Sequence, residues 1–312
     1  MGCPFRDVTE MAQHIPVLRD DMVNAVMTDP SGTYLDATFG RGGHARALLR
    51  LLSSKASLIA LDRDPEAYQA ALDLSREDSR VYPKRGIFSE LSSVLTGKSS
   101  DAFSGVMMDV GVSSPQLDDP GRGFSFMHSG PLDMRMDPES GESAASWLNR
   151  VELPDLVKIL RTLGDEKNAR AIATSVINKR PLHTTADLVM AINSARSKRD
   201  PRKHAATRVF QAVRMHINDE LSELSRGIDA GFQHLADGGR IGILTFHSIE
   251  HAVVRKKFRD LVSPFVPRRL PVRGTSLGHA TYVIKGKHPD PAEANINPRS
   301  RSALLQVIER IE

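Results

Sequence analysis

The residues best suited to binding chemistry lie between positions 33 and 44 of this 312-residue chain. A short apolar run ends in Asp36, and three glycines, Gly40, Gly42 and Gly43, then precede a Leu-rich helical run. Glycine lets a backbone approach a ligand closely, and the start of a helix presents N–H groups without partners. The order of strand, glycine turn and helix therefore predicts a loop that binds a nucleoside. A tight turn without a ligand is the alternative.

A second acidic residue, Asp62, directly follows the next predicted strand at residues 57–61. A carboxylate there can accept hydrogen bonds from the two hydroxyls of a ribose. The glycine spacing does not fit the dinucleotide pattern G-x-G-x-x-G, and Arg41 and Arg46 are the only nearby cations for a pyrophosphate. A cofactor with a ribose and an amino-acid end but no phosphate fits better, so the residues favour S-adenosylmethionine.

A polar turn follows Asp109, which ends the fourth predicted strand. It reads Ser113-Ser114-Pro115-Gln116. Methylation of an exocyclic amine needs hydrogen-bond acceptors for its two hydrogens, because the nitrogen lone pair is delocalised into the ring. Amino-methyltransferases use an Asp/Asn/Ser-Pro-Pro-aromatic turn for this, and the match here is partial, with one proline and no aromatic residue. Ser113, Ser114 and Pro115 are thus candidate catalytic residues, and a plain turn is the alternative.

Two histidines, His247 and His251, satisfy the pattern H-x-x-E-H of some zinc proteases. A zinc site needs both histidines on one face of a helix and a further ligand. His247 directly follows the predicted strand 240–246, so the two rings should not converge. We expect no metal site, and a zinc hydrolase remains the disfavoured alternative.

Two further groups are candidates for contact with a nucleic acid. Arg122, Phe124 and Phe126 lie in an irregular segment, where arginine can contact phosphate and aromatic rings can stack on bases. A packed loop explains them equally well. A polar stripe on the helix predicted at 204–231 adds further candidate substrate-binding residues: Gln211, Arg214 and Asn218.

These residues require a fold that brings strand ends together. Predicted strands at 57–61, 80–84 and 103–110 alternate with helices, which implies a parallel sheet with its site at the carboxyl ends of the strands. Three later runs complete about seven strands: 240–246, 280–284 and 303–308. Residues 118–141 are irregular and the next fifty-odd residues are helical, so we predict an α/β domain with an inserted all-helical domain. The predicted boundaries are 1–116 and 203–312 for the α/β domain and 117–202 for the insert.

The charge of the chain is uneven although its formal net value is only +4. From Arg255 to Arg301 there are eleven Lys or Arg against three Asp or Glu, and the linker at 196–203 is also basic. Such local excess favours a polyanion such as nucleic acid, with a solvated surface as the alternative. The single cysteine, Cys3, fits a reducing compartment, and neither a signal peptide nor an apolar membrane span is recognisable. We therefore expect a cytoplasmic protein.

Seven motifs, taken in order, resemble the ribosomal RNA small subunit methyltransferase H family. They begin at His14, Leu35, Asp109, Arg122, Phe210, Phe246 and Asn297 and read HIPVL, LDATFGRGGH, DVGVSSPQLD, RGFSF, FQAVR, FHSIE and NPRSRS. These bacterial enzymes methylate N4 of a decoding-centre cytidine in 16S rRNA. The resemblance implies a class I, Rossmann-like, seven-stranded S-adenosylmethionine-dependent methyltransferase fold with a helical substrate-recognition insert. The implied partner is 16S rRNA in the small ribosomal subunit.

The resemblance also implies a set of cofactor-binding positions: Gly42, Gly43, His44, Asp62, Phe88, Asp109 and Gln116. Phe88 could cover an adenine ring, although an ordinary core aromatic residue has the same signature. Small departures occur at Ala45, where the family often has serine, and at Val110, where leucine is common. No catalytic base is implied, a monomer and a weak homodimer remain open, and a non-enzymatic rRNA-binding assembly factor is the remaining alternative.

Overall fold

The computed structural model describes residues 16–91, 102–195, 205–263 and 278–311. Its centre is a seven-stranded sheet in the order β3-β2-β1-β4-β5-β7-β6, in which β7 is antiparallel to β5 and β6 and the other pairs are parallel. The strands are β1 Thr33–Asp36, β2 Ser57–Asp62, β3 Val81–Arg85, β4 Phe103–Asp109, β5 Leu235–Thr245, β6 Ala280–Lys287 and β7 Leu304–Arg310. The predicted class I fold is confirmed.

Helices cover both faces of the sheet and form a separate module beside it. Their bounds are α1 Arg19–Val26, α2 Gly43–Leu49, α3 Pro65–Glu77, α4 Ser114–Asp118, α5 Ala144–Arg150, α6 Leu153–Thr162, α7 Ala169–Asn178, α8 Thr185–Ser194, α9 Ala205–Ile217, α10 Glu220–Gln233, α11 Ser248–Val262 and α12 Pro291–Ile296. Within the described ranges, no helix is both long and apolar enough to cross a bilayer.

The central strands are apolar because both of their faces are covered. Residues from α1, α2 and α3 pack on one face, and residues from α10 and α11 pack on the other. Strand β4 is buried over most of its length, as expected for a central strand of a parallel sheet. This burial fixes the strand ends, so the loops that follow them are held in place at one edge.

The helical module has a core of its own. Buried residues between Phe124 and Val213 form one apolar cluster, which includes Trp147 of α5 and Leu156 of α6. The cluster continues past residue 202, because Val209 and Val213 of α9 belong to it. Helix α9 therefore packs with the module although it leads back into the sheet.

The prediction of a single helix at 204–231 is wrong. The chain breaks it into α9 and α10, because Asp219 adopts a left-handed backbone conformation with φ 48°. Apolar residues keep their helical spacing across the break, so periodicity alone does not reveal it. The other predicted elements are present, with ends shifted by a few residues.

Candidate functional site

Three aspartates end three neighbouring strands at the same edge of the sheet. Asp36 ends β1, Asp62 ends β2 and Asp109 ends β4, and these strands pair in parallel. Parallel pairing brings their carboxyl ends together, which is where open α/β sheets bind ligands. The arrangement predicted from the strand ends is therefore present.

Asp62 holds the glycine loop through both of its carboxylate oxygens. Oδ2 accepts a hydrogen bond from the Gly40 N–H at 2.9 Å, and Oδ1 accepts one from the Asp64 N–H at 3.0 Å. Gly40 has φ +55°, a conformation that favours glycine, and a side chain there would meet no atom closer than 4.0 Å. Each carboxylate oxygen can accept a further hydrogen bond, so Asp62 can still bind ligand hydroxyls.

Packing explains the other two glycines of the loop. A Cβ atom at Gly42 would lie 2.6 Å from the Phe39 ring, and one at Gly43 would lie 2.2 Å from Pro16. Gly42 also has φ +75°. These glycines are thus needed by the fold itself, and their role toward a cofactor stays a prediction.

His44 lies beneath the loop, next to Asp109. Its Nε2 bonds to the Val17 carbonyl oxygen at 3.2 Å, and its Nδ1 is 3.7 Å from Asp109 Oδ2. Burial lowers the pKa of His44 to about 4, so the ring is neutral near pH 7. A carbonyl only accepts hydrogen bonds, so Nε2 carries the proton and Nδ1 turns its lone pair toward Asp109.

The strand-end carboxyls resist ionisation. Burial raises the pKa of Asp36 to about 7, and the nearby charge of Asp62 adds to the effect. Burial likewise raises the pKa of Asp109 to about 7, with further contributions from Asp36 and Glu250, and it raises the pKa of Asp62. Like charges placed together in a desolvated site have this consequence. A cation bound at this edge would favour the ionised carboxylates and lower these pKa values.

The Ser-Pro turn caps a short helix. Ser113 is the N-cap of α4: its Oγ accepts from the Gln116 N–H at 3.4 Å, and Gln116 Oε1 accepts from the Ser113 N–H at 2.9 Å. Gln116 Nε2 also donates to Asp64 Oδ2 at 2.7 Å. A narrow groove runs between this turn and the glycine loop, lined by Ser113, Pro115 and Gln116 on one side and Gly40 on the other. The turn therefore lies beside the carboxylate edge.

Arg122 joins the helical module to the same edge. Its guanidinium donates to Asp64 Oδ2 at 3.0 Å and to the carbonyl oxygens of Arg135 and Met136 at 3.2 and 3.0 Å. Only 12% of its side chain is exposed. All three hydrogen bonds come from Nη2, and contact of Arg122 with RNA phosphate stays a prediction.

The two phenylalanines of the same motif are packing residues in this structure. Phe124 is buried in the core of the module, with the Arg122 guanidinium 5.8 Å from its ring centre. Phe126 packs edge-on against Phe210 at 5.3 Å. Both rings therefore have packing partners within the protein, and stacking of Phe124 or Phe126 on a base stays a prediction.

Two of the three residues of the predicted polar stripe are buried. Arg214 is buried and donates to both carboxylate oxygens of Glu220, at 2.8 and 2.9 Å. Asn218 is buried and bonds to the backbone of Met134 and Met136, both at 2.8 Å. Both side chains have partners within the protein, and the substrate role of Arg214 and Asn218 stays a prediction.

Gln211 and Phe88 are partly buried. Gln211 Nε2 donates to the Leu163 carbonyl oxygen at 3.3 Å, so it links α9 to the end of α6. The Phe88 ring lies against α10, where a Cβ at Gly227 would be 2.0 Å from it. Phe88 follows β3 closely, and the Gly86 N–H bonds to the Asp62 carbonyl oxygen at 3.0 Å. The predicted contact of Phe88 with the cofactor stays a prediction.

The sequence did not lead us to predict that Glu250 caps the start of α11. Its Oε2 accepts from the N–H groups of Phe246 and His247, at 2.8 and 3.0 Å, while its buried Oε1 has no hydrogen-bond partner and lies 4.0 Å from Arg214. Burial raises the pKa of Glu250 to about 7. The available signal was a polar residue three positions after His247, which is the spacing of a capping box.

The histidine pair of the zinc pattern is separated by the local fold. His247 is the N-cap of α11, whereas His251 lies within the helix and bonds through Nε2 to the Thr245 carbonyl oxygen at 3.3 Å. Over the described residues, no group of three His, Cys, Asp or Glu side chains is arranged to hold a metal ion.

Comparison with known proteins gives one consistent result. A family model described as the MraW methylase family matches residues 11–311. A ribosomal RNA small subunit methyltransferase H from Chromohalobacter salexigens is 45% identical over 306 residues, which is 96% of this chain and 92% of that protein. One from Burkholderia cenocepacia is 42% identical over 308 residues, covering 96% and 98%. An rRNA methylase structure from Streptococcus thermophilus aligns with TM-score 0.42 at 10% identity, covering 94% of each chain.

Proposed function

The chain belongs to the MraW methylase family, and on that premise we propose that it methylates N4 of a cytidine in the decoding centre of 16S rRNA. Its methyl donor is S-adenosyl-L-methionine. The proposed substrate is 16S rRNA within the small ribosomal subunit, because the relatives at 45% and 42% identity are ribosomal RNA small subunit methyltransferases. We place this activity in the cytoplasm.

The carboxylates at the strand ends, which are buried at Asp36 and partly exposed at Asp62 and Asp109, carry the assignment of the cofactor site. S-adenosylmethionine has a cationic sulfonium and an ammonium group and has no phosphate. The edge formed by Asp36, Asp62 and Asp109 is acidic, and the pKa of each carboxyl is raised by burial. A cation is therefore the ligand that this edge fits, and an anionic dinucleotide would meet repulsion.

We assign individual roles by position. Asp62 would bind the ribose hydroxyls, the loop of Gly42, Gly43 and His44 would face the amino-acid end, and Phe88 would cover the adenine. Asp109 and Gln116 would complete the site. When bound, the cofactor supplies a methyl group that its sulfonium already activates for transfer.

The turn after β4 is the proposed site of chemistry. A cytidine must leave its stack to present N4, and hydrogen-bond acceptors at N4 favour the pyramidal, nucleophilic amine. Ser113, Ser114 or the nearby backbone would accept these hydrogen bonds, and Pro115 would fix the turn. The support is position: the groove lined by Ser113 and Pro115 also contacts the glycine loop.

The helical module would serve substrate capture. It leaves the sheet directly after the Ser-Pro turn and is tied to the cofactor edge by Arg122. The basic linker expected to assist, at 196–203, lies outside the described residues.

The decisive test is mass spectrometry of 16S rRNA from cells with and without this protein. We expect loss of one N4 methyl group at a decoding-centre cytidine, restored by the wild-type gene and not by the Asp62→Ala variant. An unchanged rRNA methylation pattern, or loss at another atom or base, would contradict the proposal. Purified protein with labelled cofactor, free 16S rRNA and unmethylated small subunits then identifies the preferred substrate.

A further inference from the structure

Several basic side chains gather where β5 ends beside β7. His288 Nδ1 bonds to the Ala303 carbonyl oxygen at 2.7 Å, and Thr245 Oγ1 donates to the Leu304 carbonyl oxygen at 3.3 Å. His251 bonds to Thr245, as described above. His251 and His288 therefore both lie where β5 ends and β7 begins.

Arg255 and Arg301 extend this cluster. Arg255 lies one helical turn after His251 on α11. Arg301 immediately precedes Ser302, whose backbone forms a hydrogen bond with His251. Burial lowers the pKa of His251, and the charges of His288 and Arg255 lower it further, which is consistent with cations facing one another. We name the exposed residues Arg255, His288 and Arg301 the basic ridge.

Arg255 differs from two of the other cations of α11, Lys257 and Arg259. Lys257 pairs with Asp229, and Arg259 lies 3.5 Å from Asp260. In the part of the chain that the structure describes, no carboxylate pairs with Arg255 or Arg301.

The two acids closest in sequence to His288 accept hydrogen bonds from backbone N–H groups. Asp290 accepts from the Glu293 N–H at 2.8 Å, and Glu293 accepts from the Leu18 N–H at 2.7 Å. Within the described ranges, Arg255 and Arg301 are thus exposed cations that form no ion pair with a carboxylate.

Its position relates it to the candidate site. Thr245 is followed by Phe246, whose ring is 3.8 Å from the Cβ position of Gly111 in the loop after β4. The ridge therefore flanks the loops of β4 and β5, at the carboxyl edge where the target base would enter.

We propose that the basic ridge binds the phosphate backbone of the rRNA strand next to the target cytidine. This inference rests on the proposed function and adds a docking surface outside the cofactor site. Guanidinium groups are suited to phosphate, and exposed cations without acidic partners gain most from releasing the counterions of RNA. The surface would hold the strand while the base enters the site.

The test compares two double charge reversals. Arg255→Glu with Arg301→Glu removes the ridge, and Lys55→Glu with Arg76→Glu makes the same charge change at exposed positions near the opposite edge of the sheet. Binding of radiolabelled 16S rRNA and unmethylated small subunits is measured by filter binding over a salt series. Calorimetry with S-adenosylmethionine confirms that each variant keeps a folded cofactor site.

We expect the ridge variant to bind at least about tenfold more weakly, with a salt slope reduced by roughly 1.4–1.8, the value for two lost phosphate contacts. The control should stay within about twofold of the wild type. Equal losses in both variants, or none in the ridge variant while the wild type methylates N4, would overturn the inference alone. Absence of N4 methylation by the wild type would overturn the proposed function and the inference with it.

Discussion

The carboxyl edge of the sheet and the junction with the helical module both hold polar or charged side chains that are buried or partly buried, but these side chains have different partners. At the junction, Arg214 bonds twice to Glu220, and the Asn218 side chain bonds to backbone groups on three residues. At the edge, Asp36 and Asp109 lie among other carboxyls, and the pKa of each is raised to about 7. Arg214 and Asn218 have complementary partners within the protein, whereas the carboxyls of the edge face like charges, which we expect a bound cation to relieve.

We expect this difference in partners to distinguish structural from ligand-binding polar groups better than residue type does. Arginine in a glycine-rich loop suggests RNA binding, yet Arg122 has protein acceptors at the edge and within the module. Buried groups with complementary partners contribute to the fold, while buried groups among like charges are held at a cost to stability. The predictions below test this distinction from the largest expected effect to the smallest.

Loss of Arg214 should reduce stability most. Arg214→Ala leaves Glu220 and Glu250 buried without their cation, so the free energy of unfolding should fall by about 3–5 kcal/mol. Urea denaturation measures this change. The matched control is Arg76→Ala, which breaks an exposed pair with Asp73 and should cost less than about 1 kcal/mol. Similar values for both variants would show that the junction is not a structural network.

Loss of Asp62 should reduce cofactor affinity instead. Asp62→Ala should weaken binding of S-adenosylmethionine by roughly 1–3 kcal/mol, because hydrogen-bonding groups of the ligand and the loop lose their acceptor. Calorimetry on the folded variant measures this. Asp62→Asn keeps one acceptor oxygen without the charge, so an intermediate affinity would separate the two contributions. Unchanged affinity in both variants would remove Asp62 from the site.

Sequence patterns predicted the sheet well because buried parallel strands are continuous apolar runs that end in polar residues. The positions of Asp36, Asp62 and Asp109 followed from that order alone. The helical character of the insert was predicted. The contacts that Arg122, Arg214 and Asn218 make within the protein were not. Their partners depend on the helix break at residue 219 and on a loop that returns to the sheet. Such contacts leave no periodic signal in the sequence.

The Ser-Pro turn gives the next prediction, because it lies between the two kinds of region. Ser113 caps α4, so part of its role is structural, and N4 contact is the proposed second part. Ser113→Ala with Ser114→Ala should slow single-turnover methylation of small subunits by about tenfold or more, with cofactor affinity nearly unchanged. Ser143→Ala, which removes the N-cap of α5, is the control for a lost cap. Wild-type rates in the double variant would move the catalytic role elsewhere.

The smallest expected effect is a pH dependence of cofactor binding. Carboxyls with a pKa of about 7 in the free protein are partly protonated at neutral pH, and a bound cation favours their ionised form. Affinity should therefore rise from about pH 6 to pH 8, by roughly fivefold, with protons released on binding. Asp36→Asn removes one titrating group and should flatten the profile, whereas Asp73→Asn, at an exposed position on α3, should not. Because the ligand's own titration is common to all variants, the difference between these two profiles reports the edge. Affinity that is independent of pH, or that falls as pH rises, would show that the strand-end carboxyls do not hold a cation.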